Sequence, residues 1–240
     1  MTYSAATPAE VRALIRTGQL TAPTTGYCDG YAQGNLVVLP KALAWDFLLF
    51  CQRNPKACPL LEVADAGQRS FSQFAPGSDI ARDIPRYRIY RNGELAEETT
   101  DVTHYFEERN DLVSFLIGCS FSFESALLEA DIPVRQIEEG VNVPMYNTNI
   151  PCTPAGVFSG NMVVSMRPIP YAQVPAAVAI TVGMPRVHGA PVQIGTPEAI
   201  GITDLAHPDY GDAVTIRPGE TPVFWPCGCL LYTSDAADEL

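Results

Sequence analysis

An α/β fold, built of mixed sheets with flanking helices in two subdomains, is what the sequence predicts on three observations. Segments whose apolar residues recur at helical spacing alternate with short β-rich runs along the 240 residues. Near the middle, LVSFLIG, FSFESALLEA and IPVRQIEEG follow one another as strand, helix and strand. After Gly140 the chain becomes dense in Pro, Asn and Thr, which places a boundary near residue 150. The expected parts are therefore residues 1–150, carrying the Cys119–Glu124 turn, and residues 151–228.

Each element has its own warrant. Thr7-Pro8-Ala9-Glu10 is a helix start and Gly18 a stop, so PAEVRALIRTG is a short amphipathic helix. The Gly/Thr/Pro loop TAPTTGYCDGYAQG is expected to present backbone amides and leads to the apolar run NLVVLP. Ala44, Phe47, Leu48 and Cys51 recur at helical spacing from Lys41 to about Arg53, and Pro55 ends that helix. PLLEVA and PRYRIYRNGELAEE read as strands, the second turning at Asn92-Gly93. NVPMYNTNIPCTPAGVFSGN reads as a long loop, and loops of that length are functional or disordered. Then come the strand MVVSMRP, the helix AQVPAAVAITVG, the turn PRVHGAPVQIGTP and a last strand pair through AVTIRPGETPVFW.

With 47% hydrophobic residues the chain can bury a sizeable core. It has no apolar run near the ~18 residues of a membrane span, and its start lacks a secretory apolar region, so a soluble, cytoplasmic protein is expected. The closing CLLYTSDAADE resembles the translation of a sequencing-library adaptor; residues 229–240 are expected to be non-native and the domain truncated there. The formal charge is −12, of which Asp235, Asp238 and Glu239 of that tail supply three, leaving −9 for residues 1–228. An acidic surface of this kind argues against nucleic acid and anionic membranes as partners and leaves a small acid open. Homo-oligomerisation is allowed for. Apart from Cys229 there are six cysteines with no CxxC pair and no metal-type Cys/His spacing, which reads as reduced thiols without a metal. HExxH, GxxxxGK[ST] and GxGxxG are all missing, so no cofactor is expected.

The chemistry-bearing candidates centre on the break at Gly118. Ser120 or Cys119 falls where a helix N-cap would lie, and the amides of Ser122 and Phe123 would then face an anion; simple capping is the alternative. Cys119 at such a position would have a lowered pKa, unless it is a small core cysteine. Glu124 comes one residue late for a capping box on Ser120 and shares a helical face with Leu127 and Leu128, where a carboxylate pKa would rise and suit proton transfer; a solvated first-turn acid is the alternative. GCSFS resembles a nucleophile elbow but lacks its second glycine, and Asp204 and His207 stand too close together for a convincing triad. Arg167 ends the strand MVVSMRP on the side of Ser165 and could grip a substrate carboxylate or form an ordinary ion pair. His188, before Gly189, is the best placed histidine for acid or base work. Tyr146, Asn147, Thr148 and Asn149 offer uncharged groups for a polar substrate, or ordinary turn chemistry.

Together DFLLFCQRNPKACPLLEV, DIPRYRIYRNGEL, DLVSFLIGCSFSFESAL, NVPMYNTNIPCTPAG, MVVSMRPIP and VHGAPVQIG resemble the D-glutamate cyclase family, in its bacterial hydro-lyase branch, from about Thr7 to Gly228. Two positions depart from the family pattern: Gln193 stands where the family has His, and Cys28-Asp29 where it has Ala-Pro. The family also continues past Cys227-Gly228 into a segment with a Thr-His-Pro-Gly stretch. The resemblance implies an α/β fold of two subdomains and dehydration of D-glutamate to 5-oxo-D-proline, a reaction of D-amino acid metabolism. Alternatives are a hydro-lyase or amidohydrolase acting on a different small acid, and a non-catalytic small-acid binding protein. Lactam closure joins an amine and a carboxyl of one molecule, so correct folding of the substrate can supply up to ~7–11 kcal/mol and no ATP is needed. Under this reading Glu124, His188 and Ser120 do the chemistry, while Cys119, Ser122, Arg167, Tyr146, Asn147 and Asn149 hold the substrate.

Overall fold

In the computed structural model, which describes residues 4–228, the first half assembles around strand β5. Helix α1 (Pro8–Arg16) begins with the expected reciprocal cap: Thr7 Oγ1 accepts from the Glu10 amide, and Glu10 accepts from the Thr7 amide at 2.8 Å. Its Val11 and Ile15 pack with Leu20 and Cys28 in a small satellite core. Strand β1 (Gly34–Pro40) runs straight into α2 (Lys41–Arg53), which buries Phe47, Phe50 and Cys51 at helical spacing and ends at Asn54, whose amide side chain donates to the Phe50 carbonyl. Strand β2 (Leu60–Ala64) follows, and then the hairpin of β3 (Tyr87–Arg91) and β4 (Glu94–Thr99). Asn92 and Gly93 both take positive φ at its turn, as a two-residue hairpin with the right twist requires. After α3 (Thr103–Glu108) comes β5 (Leu112–Gly118), the centre of an antiparallel sheet of order β1-β5-β2. Val113, Phe115 and Ile117 face one core and Leu112 and Leu116 another, which explains why LVSFLIG is apolar throughout.

Beyond β5 several expectations need correction. FSFESALLEA is a 3-10 turn over Ser120–Phe123 followed by a six-residue α4 (Glu124–Glu129). IPVRQIEEG, expected as a strand, is helix α5 (Arg135–Glu139): its apolar run is too short for a strand, Arg, Gln and Glu are good helix formers, and Gly140 closes it at φ 68°. NVPMYNTNIP, expected as a loop, contains strand β6 (Met145–Pro151), with Tyr146 and Thr148 buried and Asn147 and Asn149 exposed. That alternation of period two was present but written in polar residues. The boundary expected at residue 150 falls inside this strand.

Strand β7 (Asn161–Pro170) pairs with β6, and after a 3-10 turn it leads into α6 (Val174–Val182). The turn region holds 3-10 segments at Pro185–Val187 and Pro197–Ile200 with the short β8 (Gln193–Ile194) between them. Only Glu220–Cys227 forms a strand, β9, of the expected last pair. Both of its edges are already taken, by β7 and β8, in the antiparallel order β6-β7-β9-β8, so AVTIRPG has no ladder to join.

The two sheets share a core. Phe47, Phe50, Phe115 and Ile117 from the first half pack with Met145, Phe158, Val163 and Cys227 from the second. Among the described residues no helix is long and apolar enough to cross a membrane. The adaptor-like tail, 229–240, lies outside the described residues.

Candidate functional site

Strand alternation puts Ser165 and Arg167 on one face of β7, and both side chains are fully buried. A guanidinium cannot shed its proton, so burying it demands an anion and hydrogen-bond acceptors. The turn after β5 supplies them. Arg167 donates to Glu124 Oε1 from Nη2 at 2.5 Å and from Nε at 3.2 Å. Nη2 also reaches Ser120 Oγ at 3.2 Å, and Nη1 reaches Ser165 Oγ at 3.1 Å. Phe123 and Trp225 stack against the guanidinium, 4.9 and 5.7 Å from its carbon, and screen it from water.

Glu124 is held from both sides. Gln136 Nε2 donates to Oε1 at 2.6 Å and Thr25 Oγ1 to Oε2 at 2.9 Å. The expected setting for this glutamate, an apolar helical stripe, is therefore replaced by a cation and two neutral donors. Beside Glu124 is a small, shallow surface depression, lined among others by Gly26, Tyr27, Asp29, Gln33 and Ser122.

The turn itself is set by Gly118. A Cβ there would lie 2.0 Å from the carbonyl oxygen of Arg186, so only glycine lets the Pro185–Val187 segment close onto the end of β5. That closure carries in His188, held at φ 84° and 1% exposed. Its Nδ1 lies 2.8 Å from the Lys56 carbonyl, which can only accept, so Nδ1 carries the proton. Burial, with the positive charge of Arg167 adding to it, pushes its pKa down to about 4, and Nε2 is left with no hydrogen-bond partner. The side chain is thus a buried neutral imidazole, with the Gly118 backbone near the ring as a weaker opposing influence on its pKa.

Three of the predicted residues, Ser120, Glu124 and Arg167, meet in one cluster, and His188 lies close enough to feel the charge of Arg167. The others do different work. Cys119 is at the N-cap position of the 3-10 turn but makes no side-chain cap, and Ser120 turns its hydroxyl to Arg167 instead. Burial and the neighbouring Cys227 push the Cys119 thiol up to about 12, the opposite of the lowering expected at a helix start. The amide of Ser122 is spent on the Cys119 carbonyl and its hydroxyl accepts from the Gln33 amide at 2.8 Å, so Ser122 does not present its amide to an anion. Tyr146 is on the opposite face of the sheet, in a core with Val164 and Phe224, and donates to the Leu205 carbonyl; burial raises its pKa to about 12. Asn147 and Asn149 are exposed on the edge strand β6, where the Asn147 amide donates to Asp209. Asp204 and His207 hydrogen-bond each other at 2.7 Å on the surface, away from the buried Ser120, so no triad forms.

Thr25 and Gln136 were missed as site residues. Thr25 belongs to a loop from which amides, not a hydroxyl, were expected, and Gln136 to the segment read as a strand. Among the described residues no three His, Cys, Asp or Glu side chains are grouped as metal ligands would be.

Comparison with known proteins places the chain in a family. A family model described as D-glutamate cyclase matches residues 113–237, a span that contains Ser120, Glu124, Gln136, Ser165, Arg167 and His188. A Clostridium beijerinckii protein named "Putative hydro-lyase" is 63% identical over 228 residues, 95% of this chain and 86% of its own length. One from Bacillus licheniformis is 61% identical over 92% of this chain and 84% of its own length. A Bacillus subtilis protein named "Putative hydro-lyase YcsI" is 60% identical, over 92% of this chain and 85% of its own length.

Proposed function

The chain belongs to the D-glutamate cyclase family and is a lyase, and from that premise we propose that it dehydrates D-glutamate, or a closely related small amino acid, to 5-oxo-D-proline. The observation that carries this reading is the ion pair of Glu124 and Arg167, buried with Ser120 beside a surface depression. In the reaction the α-amino nitrogen forms a bond to the γ-carboxyl carbon, a C–O bond of that carboxyl breaks, and water leaves. The amine must first lose a proton, the tetrahedral carbon bears an oxyanion, and the departing oxygen needs a proton.

Glu124 takes one proton from the ammonium and returns it to the leaving oxygen, and the second proton that nitrogen sheds passes to the same oxygen as the tetrahedral intermediate collapses, so that water leaves. Four of the five N–H donors of Arg167 serve Glu124, Ser120 and Ser165, so its main work is to hold Glu124 in place. Ser120 accepts from Arg167, which leaves its own O–H free to donate to the oxyanion. His188 offers Nε2 as an acceptor and, being neutral, adds no charge that would repel the ammonium.

The test is an assay for 5-oxoproline with D- and L-glutamate and a panel of dicarboxylic and hydroxy acids, using wild type and Glu124→Gln. The variant is expected to lose about 10²–10⁴-fold in kcat while keeping its circular dichroism spectrum. Near-normal turnover would remove Glu124 from the mechanism, and ligand-induced thermal stabilisation without any product would favour a binding protein.

A further inference from the structure

The two oxygens of Glu124 are not equivalent. Oε1 receives three N–H donors, from Arg167 Nε and Nη2 and from Gln136 Nε2. Oε2 receives one donor among the described residues, the hydroxyl of Thr25. A carboxylate oxygen has two lone-pair sites, so Oε1 is saturated and Oε2 keeps one site open. The open site is on the side of Thr25, whose chain neighbours Gly26 and Tyr27 line the same depression as Glu124.

Thr25 is 99 residues from Glu124 in sequence, on a segment with no helix or strand of its own, yet its position is closely held. Gln33 braces the segment from within: its side-chain amide donates to the carbonyls of Thr24 and Tyr27, and the Thr24 hydroxyl donates to Gln33 Oε1 at 2.7 Å. The Gln33 amide then ties the braced loop to Ser122 at 2.8 Å, two residues before Glu124. A surface loop serving only as a connection needs no such frame. The frame fixes one hydroxyl against one carboxylate oxygen.

We infer that Thr25 is a positioning residue for the proposed lyase reaction: its hydroxyl orients Glu124 so that the free lone pair of Oε2 meets the amino group of the substrate. This rests on the reading of Glu124 as the proton-transfer group. It assigns the segment around residues 24–33 to the site, on the amino side of the substrate, and it gives Ser122 and Gln33 a purpose as the latch that holds that segment.

The experiment compares wild type, Thr25→Val, Thr25→Ser and Glu124→Gln in steady-state assays with D-glutamate and the acid panel, with folding checked by circular dichroism and thermal unfolding. Valine keeps the volume and branching of threonine and removes the donor. Thr25→Val is expected to lose about 10–100-fold in kcat with KM changed less than about threefold, the loss of one hydrogen bond to a charged group. Thr25→Ser restores kcat to within about fivefold, since it returns the hydroxyl. A merely structural threonine would lower the melting temperature and leave kcat of the folded enzyme unmoved. If Glu124→Gln is inactive but Thr25→Val stays within about twofold of wild type, below the smallest effect of such a hydrogen bond, the role of Thr25 is overturned and the reading of Glu124 stands. If Glu124→Gln is as active as wild type, the reading of Glu124 falls and this inference with it. A wild type inert toward the whole panel overturns both. Should Thr25→Val fail to fold, Thr25→Ala takes its place under the same criteria.

Discussion

Arg135 and Arg167 both have no exposed side-chain surface, and each meets glutamate, but their surroundings differ. Arg135 joins α5 to the start of β9 through Glu138 and Glu220; Glu138 is 40% exposed and is shared with the surface residue Arg217. Arg167 joins β7 to α4 through Glu124, which is 2% exposed, and two of its other donors go to two buried hydroxyls beneath Phe123 and Trp225. The first arginine is a strut between one acid that reaches water, Glu138, and one that is largely buried, Glu220 at 7% exposed. The second neutralises an acid that has no access to water except at a depression, and a protein gains nothing in stability from such an arrangement that apolar packing would not supply. The contrast supports the proposal that the Arg167 cluster serves chemistry.

Removing each arginine tests that contrast most strongly. Arg167→Met leaves Glu124 buried and unpaired, and should cost about 3–5 kcal/mol in urea unfolding. Arg135→Met leaves Glu138 in water and Glu220 still bonded to the Arg217 amide, so its cost should be about 1–3 kcal/mol. The reverse order would erase the distinction between strut and site.

A smaller effect separates the two regions by pH. Burial first, and the charge of Arg167 after it, hold His188 at about 4 against an ordinary 6.5. Its folded value is the lower one, so the unfolded chain takes up the proton first as pH falls. The stabilisation from keeping this ring neutral is complete above pH 6.5, shrinks below it, and is gone under about pH 4, a loss of ~3 kcal/mol. Unfolding free energies of His188→Gln should lack this component. In Arg167→Met the window should narrow, because one cause of the depression is gone, whereas Arg135→Met should leave it unchanged.

The smallest expected effect is at Cys119. With its thiol raised to about 12 by burial, it is protonated at neutral pH, so Cys119→Ala should keep turnover within about threefold and wild type should resist alkylation at pH 8. Rapid loss of activity on alkylation of this cysteine would restore the nucleophile reading.

What was legible in advance follows a physical division. The Thr7–Glu10 cap, the bounds of α2 and the Asn92-Gly93 hairpin are encoded within a few residues of each other, and the sequence reading located all three. The candidates Ser120, Glu124, Arg167 and His188 were legible as polar groups in apolar settings. Their partners were not. Arg167 was expected to hold a substrate and instead holds Glu124, 43 residues away. Strand β6 was hidden because its buried positions include Thr148 and its exposed ones are asparagines, a composition that reads as a turn until β7 offers a ladder.

By itself the sequence determined the α/β class and most element positions, because caps, turns and apolar periodicity act through local backbone geometry; the family was legible separately, as a resemblance of long motifs. Only the tertiary structure decided which oxygen of Glu124 faces Arg167 and Gln136 and which faces Thr25, that Gly118 admits the His188 turn, and that the YNTN segment belongs to a sheet edge. Those choices depend on contacts between residues tens of positions apart, where a buried charge or donor takes whatever partner the packed chain brings within about 3 Å, and no local pattern specifies that partner.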